Sequence, residues 1–219
     1  MREKKGEGKE ERLIKDLYDY GELKVLIKGF FLLDNNIRKL YGILKSDHKD
    51  VNIVIVNSNI VFGLEHVFGI LRIIHTEMEI GKQREIKNFE IEFLLRICYT
   101  DQIANAFQKL NDAKDKNNKD SEFICILFSK NPSDIENALK DLKKYDLQEN
   151  ALKEKKPEDE VNNRTIKTDS LIEISNRKKQ YILKNLFKKE LEDVNELFFI
   201  KDNFKFQKFL IERAAIALK

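Results

Sequence analysis

The chain has 219 residues, enough for one substantial domain, and its 41 basic and 38 acidic residues leave a net charge of only +3. A field this weak excludes a protein whose whole surface attracts nucleic acid, so any such contact needs a local basic cluster. Hydrophobic residues make up 42% and charged residues 36%, with two prolines and no tryptophan, which is typical of a soluble, helix-rich protein.

No segment has the form of a transmembrane helix or of a secretory signal. The longest apolar run, residues 60–74, is interrupted by Glu65, His66 and Arg72 and is shorter than the roughly 20 residues that a bilayer requires. The charged residues 1–15 have no apolar segment behind them and are expected to form a disordered arm. We therefore expect a cytoplasmic protein, also nuclear if its source is eukaryotic, without membrane contact.

The first predicted elements are a strand over residues 22–33, a helix over residues 37–45 and a short strand over residues 51–56. The last of these is almost continuously apolar, which indicates burial on both of its faces. Ser58 follows it and is a natural N-cap for a long helix from residue 59 to about residue 78.

A polar connection over residues 82–88 leads to two predicted helices, over residues 90–98 and 101–110, that form a hairpin. Asp101 is expected to cap the second helix. The residues of that helix expected to face inward are Ile103, Ala106, Phe107 and Leu110.

A buried strand over residues 122–128 and a helix from Pro132 to about residue 145 come next, since proline suits the first turn of a helix. Residues 148–164 are almost wholly charged or amide and predict an exposed insertion. A strand over residues 171–174 is then expected before a helix capped by Ser175.

A short helix over residues 191–199 and a terminal helix complete the chain. Strands separated by helices indicate an α+β fold with α/β-like layers: a small, mostly antiparallel or mixed sheet of about four strands, covered by helices, with a C-terminal helix. The expected organisation is the arm over residues 1–15 and a single domain over residues 16–219 that carries the insertion at about residues 148–164.

The terminal helix is the most informative segment, because one stripe of it is apolar and small. The stripe recurs at three- and four-residue steps and consists of Phe206, Phe209, Leu210, Arg213, Ala214 and Ala217. Two interpretations are open. The helix packs on the sheet of its own domain, or part of the stripe is an exposed groove for a helix of another protein.

A basic cluster is the second candidate site. It would form if the polar connection folded back over the neighbouring helices and brought together Arg72, Lys82, Arg84, Lys87 and Arg96. Phe89 and Tyr99 flank this segment and could stack on unpaired bases. The competing interpretation is a solvated, charged loop.

Motifs for catalysis or cofactor binding are absent: the sequence has no GxGxxG, P-loop, CxxC, HExxH or GxSxG pattern. We therefore expect no catalytic residue, no cofactor and no metal. Cys98 and Cys125 are predicted core thiols, and His66 is predicted to be a packed, hydrogen-bonded side chain. Glu92 and Arg96 are expected to form an ordinary i,i+4 ion pair worth a few tenths of a kcal/mol. A hydrolase built on Cys98 and His66 is a distant alternative.

Several stretches, in this order and spacing, resemble the small kinase-binding subunits of the KEOPS (EKC) complex, the family of the PRPK-binding protein and its archaeal and fungal counterparts. The most specific match is Glu92-Phe93-Leu94-Leu95-Arg96, followed by Gln102, Ile103 and Ala106. The other matched stretches are residues 60–68, 169–174 and 212–218. The resemblance as a whole covers most of the chain, and these stretches are distributed along it.

The resemblance implies an accessory subunit that is not an enzyme. Such a subunit binds the amino-terminal lobe of the small atypical kinase/ATPase of the complex, modulates that ATPase, and helps to recruit tRNA by its single-stranded 3′ CCA end. The complex makes threonylcarbamoyl-adenosine in ANN-decoding tRNAs, with the chemistry in another subunit. No direct DNA contact is expected. The alternative is a stand-alone RNA-binding or scaffold module.

The resemblance also assigns residues. The expected kinase-binding residues are Phe206, Phe209, Leu210, Arg213, Ala214, Ile216 and Ala217. The expected tRNA-binding residues are His66, Arg72, Lys82, Arg84, Lys87 and Arg96. Two departures from the family pattern put the RNA contact in doubt: Tyr99 stands where the family often has glycine, and Asp101 where archaeal members carry arginine.

Overall fold

The computed structural model describes residues 17–32, 37–80, 88–112, 121–151, 172–187 and 202–217. Several sequence-based predictions lie outside these ranges: the arm over residues 1–15, the connection containing Lys82, Arg84 and Lys87, the insertion beyond residue 151, and the helix over residues 191–199.

A four-stranded antiparallel sheet lies at the centre of the fold, with strand order β1-β2-β4-β3. The strands are β1 (Leu17–Tyr20), β2 (Leu23–Leu32), β3 (Asn52–Asn57) and β4 (Ser121–Ser129). Ile126 of β4 lies opposite Ile27 of β2 and Val54 of β3, which sets the register of the three long strands. The predicted α+β class with about four strands is confirmed.

Helices cover both faces of the sheet. On one face lie α1 (Ile37–Asp47) and α5 (Pro132–Ala151), and on the other α2 (Leu64–Ile80), α3 (Phe89–Ile97), α4 (Ile103–Asp112), α6 (Asn176–Leu186) and α7 (Asn203–Ile216). Successive side chains of a strand point to opposite faces of the sheet, so the side chains on each face are buried under one of the two helical layers. This explains the nearly continuous apolar run of β3 and confirms its predicted burial on both sides.

The fourth strand is not the predicted one. Residues 172–174 form a 3-10 turn and a bend, with no ladder to the sheet, whereas β1 pairs with β2 across a tight turn at Gly21. β1 has only four residues and one neighbouring strand, so it lacks the long apolar run by which the other strands are recognised. The prediction of a strand over residues 171–174 is therefore wrong over its described part.

The long helix begins later than predicted. Ser58–Ile60 form a separate 3-10 turn, whose cap is Asn57, with its side chain accepting from the Asn59 backbone N–H at 2.9 Å. Gly63 follows with a φ of +84°, in the region that favours glycine, and α2 starts at Leu64. Ser58 therefore does not cap the long helix.

Smaller differences concern the helix ends. The predicted starts at Pro132 and after Ser175 are confirmed, and Ser175 accepts from the backbone N–H of Lys178 at 3.3 Å. α4 starts at Ile103 and not at Asp101, and α5 continues to Ala151, so the predicted insertion begins inside a helix.

Helix α7 packs closely against α2 at Gly69. A Cβ placed on Gly69 would lie 2.5 Å from Cδ1 and 2.6 Å from Cγ1 of Ile211 in α7. Because Ile211 is β-branched and stiff, it cannot simply rotate out of the way. The absence of a side chain at Gly69 therefore sets how closely the terminal helix approaches.

Two glycine-to-alanine variants test this contact. We expect Gly69→Ala to lower the free energy of unfolding by about 1–3 kcal/mol because it overpacks the interface between α2 and α7. Gly42→Ala is the matched control: Gly42 lies in α1 with nothing within 4 Å of an added Cβ, so the variant should gain about 0.5–1 kcal/mol of helix propensity. Urea unfolding measures both. Equal effects of the two variants would contradict the close contact.

Candidate functional site

Arg96, in α3, is a buried cation that joins three helices. Its side chain is 1% exposed, and its guanidinium donates to Glu92 of α3 at 2.8 and 3.0 Å and to Glu77 of α2 at 2.5 Å. Nη1 donates to the backbone carbonyl of Ala214 in α7 at 2.9 Å. A buried charge is tolerated only where its donors are paired, so this arrangement fixes the last turns of α7 against α2 and α3.

Burial overturns two predictions for Arg96. The pair with Glu92 is not an ordinary surface pair, because Glu92 is also buried and the guanidinium has further partners in α2 and α7. Arg96 is also removed from the expected tRNA contacts, because it presents no surface to a ligand.

His66, near the start of α2, is completely buried. Its Nδ1 accepts from the backbone N–H of Phe62 at 3.2 Å, so the neutral ring carries its proton on Nε2 and donates to the Tyr99 hydroxyl at 2.8 Å. Burial, and after it the charge of Lys178, lowers the pKa of His66 to about 3. The predicted packed, hydrogen-bonded histidine is confirmed, and the expected tRNA contact by His66 is excluded by its burial.

Tyr99 lies in the turn between α3 and α4 with a φ of +51°, a conformation that bulky residues rarely adopt. Its hydroxyl is held by His66, and its ring packs against Phe187 with centroids 4.7 Å apart. A residue in such a strained conformation lowers the free energy of unfolding by about 1–3 kcal/mol, so it persists only where its surroundings hold it in place. Glycine is the residue that this backbone position favours, and its replacement by tyrosine places a large ring beside the end of α7.

The two faces of α7 have different roles. Phe206, Leu210 and Ala214 are fully buried in the core of the domain and cannot contact a partner, which corrects their assignment as kinase-binding residues. The other predicted residues are accessible: Phe209, Arg213 and Ala217 are half-buried, and Ile216 is 51% exposed. The first interpretation, packing of the helix on its own domain, therefore holds for the buried residues of the stripe, and the groove for a helix of another protein stays a prediction for the accessible ones.

A shallow depression lies beside the exposed end of α7, with a volume of about 310 Å³. We call it the terminal depression; it is lined by Tyr99, Thr100, Asp101, Arg213, Ile216 and Ala217. The Arg213 guanidinium also lies 5.9 Å from the centre of the Phe187 ring, a cation–π contact. The sequence indicated the three residues of α7, and in the turn between α3 and α4 it singled out Tyr99 and Asp101 as departures from the family pattern, but it did not place them beside α7.

Arg72 is the one residue of the predicted basic cluster that is both described and exposed. Of the six expected tRNA-binding residues, His66 and Arg96 are buried, and Arg72 is exposed on α2. Lys82, Arg84 and Lys87 lie outside the described residues.

Both cysteines are buried, and burial raises the pKa of Cys98 and of Cys125 to about 12. The prediction of core thiols is confirmed. A nucleophilic cysteine needs access and a lowered pKa, and the ring nitrogens of His66 bond to Phe62 and Tyr99, so the arrangement does not suit a Cys98–His66 hydrolase.

Within the described ranges, no group of three or more histidine, cysteine, aspartate or glutamate side chains is placed to hold a metal ion. Nor does any helix in that part of the chain have the length and apolar character needed to cross a membrane.

The buried histidine predicts how stability depends on pH. An unfolded histidine protonates near pH 6.5, whereas folded His66 stays neutral to about pH 3, so the unfolded state binds one more proton between these values. Stability should therefore fall as pH drops through 6.5, by about 2 kcal/mol between pH 7 and pH 5. Lys178, whose pKa burial lowers to about 8, is protonated in both states over this range and adds no slope.

Urea unfolding at pH 7 and pH 5 measures this effect. His66→Gln should flatten the loss, and His75→Gln, which alters a more exposed histidine paired with Glu79, should keep it. The same loss in the His66→Gln variant would show that another group causes it.

In comparisons with known proteins, no family model and no characterised protein matches the sequence.

Proposed function

We propose that this chain is a non-catalytic accessory subunit of the KEOPS complex, which modifies tRNA to threonylcarbamoyl-adenosine. In this role it binds and modulates the small atypical kinase/ATPase subunit and helps to recruit tRNA through the 3′ CCA end. It acts in the cytoplasm, and also in the nucleus if the cell is eukaryotic.

A contact between two of the stretches that carry the resemblance supports this proposal. Arg96, from the match in α3, donates to the backbone carbonyl of Ala214 in the terminal stretch. Segments far apart in the sequence therefore meet in one connected unit, as expected if they match a single structural pattern.

The accessible end of α7 is the observation that supports the kinase-binding part of the proposal. Ile216 is half exposed beside the terminal depression, while the opposite face of the same helix is anchored in the core. Protein interfaces draw most of their energy from a few apolar or aromatic anchors, and a rigid helix presents such anchors without a large ordering cost. The proposed kinase-binding residues are therefore Phe209, Arg213, Ile216 and Ala217.

The tRNA-binding half rests on fewer described residues. Arg72 is the exposed basic residue of the predicted set, and Lys82, Arg84 and Lys87 of the neighbouring connection complete the proposed contact. Asp101 adds an anionic group near the end of α7, which favours placing the RNA contact on the side of α2 and not at the terminal depression.

A stand-alone RNA-binding or scaffold module is the alternative. The two functions differ in their partners, so affinity purification from the native cell separates them: the proposed subunit co-purifies with the small kinase/ATPase, and a stand-alone module does not.

Two substitutions on α7 test the kinase-binding half. Ile216→Asp should leave the domain folded, because the side chain is half exposed, and should weaken binding to the recombinant kinase/ATPase by at least about 30-fold, as expected for loss of a central apolar anchor. Phe204→Asp is the matched control, since Phe204 is exposed at the other end of the same helix. Leu210→Asp is unsuitable, because it would place a charge in the core.

Isothermal titration calorimetry with the kinase/ATPase measures both variants. The proposal predicts lost binding for Ile216→Asp and retained binding for Phe204→Asp. Unchanged binding by folded Ile216→Asp, or no binding by the unmodified chain, contradicts it.

The tRNA-binding half is tested with intact tRNA and with tRNA trimmed of its CCA end. The intact tRNA should bind more tightly, and Arg72→Glu should weaken its binding and reduce the slope of log affinity against log salt by about one, the effect of one lost phosphate contact. Equal binding of intact and trimmed tRNA, measured by fluorescence anisotropy, would rule out recognition of the CCA end.

A further inference from the structure

Helix α4 exposes two large apolar side chains that the sequence predicted to face inward. Ile103 is 48% and Phe107 47% exposed, whereas Ala106 between them is fully buried against the core. Residues four apart lie on one face of a helix, so the two side chains form a continuous apolar strip. Single exposed apolar residues are ordinary on a protein surface, but a strip of them beside a depression marks an interaction surface.

This strip begins two residues after the last residue of the α3–α4 turn that lines the terminal depression. Thr100 and Asp101 line the depression together with Ile216 of α7, and Ile103 begins α4 two residues later. Consecutive Cα atoms are about 3.8 Å apart, so Ile103 lies within roughly 8 Å of Asp101 along the backbone. The exposed apolar side chains of α4 and α7 thus flank the same turn.

Asp101 supplies the negative charge of this surface. It is exposed, and within the described residues it forms no hydrogen bond and no ion pair. Arg213 also lines the depression, and its guanidinium lies over the Phe187 ring. With one anionic and one cationic side chain beside apolar groups, the surface has no excess of positive charge to hold phosphate, so it suits a protein segment that places a basic side chain against Asp101.

We infer that the kinase-docking surface extends from the end of α7 across the Tyr99–Asp101 turn onto Ile103 and Phe107 of α4, and that the partner places a lysine or arginine against Asp101 within an apolar contact. This inference rests on the proposed function. Asp101 sets which partner fits, because a complementary charge at the rim of an interface speeds association and a like charge excludes the wrong partner.

Charge reversal tests the role of Asp101. Asp101→Lys should weaken binding of the recombinant kinase/ATPase about tenfold at low salt, Asp101→Asn about threefold, and both losses should shrink at high salt, as for a rim charge. Asp50→Lys is the matched control, because Asp50 is an exposed aspartate in the turn between α1 and β3, in the other helical layer. It should bind like the unmodified chain.

Ile103→Glu and Phe107→Glu test the apolar part, each with an expected loss of binding of about tenfold or more. Ile43→Glu is their control, since Ile43 is 39% exposed on α1. Urea unfolding of each variant separates loss of binding from loss of fold.

The outcomes distinguish the inference from the proposed function. If the unmodified chain binds the kinase and the α4 and Asp101 variants bind as tightly, the extension onto α4 is wrong while the proposed function stands. If the unmodified chain does not bind, both fall. If Asp101→Lys instead strengthens tRNA binding while Ile103→Glu weakens it, the surface binds RNA and the inferred partner is wrong.

Discussion

The buried guanidinium of Arg96 is the interaction on which the arrangement of the helices depends. A cation in the interior must keep its donors paired, and the partners here are carboxylates of α2 and α3 and a backbone carbonyl of α7. Displacing the end of α7 would leave the Nη1 donor without its acceptor, the Ala214 carbonyl, while the pair with Glu92 within α3 would remain. The contact therefore favours the observed position of α7, in which Leu210 is buried and Ile216 is exposed.

Helix α3 also connects the two layers. Glu90, at its start, is buried and accepts from Lys45 at 2.7 Å, from the Tyr41 hydroxyl at 2.9 Å, and from the backbone N–H of Ile53 at 2.7 Å. These contacts tie α3 to α1 and satisfy a backbone donor at the edge of the sheet, where unpaired groups would otherwise invite another strand. The short helix α3 thus provides the buried carboxylate of Glu90, which contacts α1, and the buried guanidinium of Arg96, which contacts α7.

Much of the fold could be predicted from the sequence, because β2, β3 and β4 are buried on both faces and read as long apolar runs, and Pro132 and Ser175 mark helix starts through their own chemistry. The short strand β1 and the late start of α2 could not, since both depend on tertiary contacts and on the backbone at Gly63.

The candidate site was harder to predict, because sequence reasoning counts charges and apolar residues but does not give their burial. Arg96 resembles a surface ligand in the sequence and is an interior group in the fold, whereas Ile103 and Phe107 resemble core residues and are exposed. The terminal helix shows the same limit: its spacing identified an apolar stripe, and only the packing against α2 separated the buried residues from Ile216.

Hydrogen exchange of an Arg96→Gln variant tests the central claim, that this guanidinium holds the end of α7 in place. Loss of one partner of a buried pair costs about 3–5 kcal/mol, which a domain of this size can survive, and Arg96→Lys provides a milder second variant. We predict that amides of residues 213–217 lose protection selectively relative to those of β4, with no such change in Arg72→Gln. Equal protection of the end of α7 with and without the guanidinium would contradict the account.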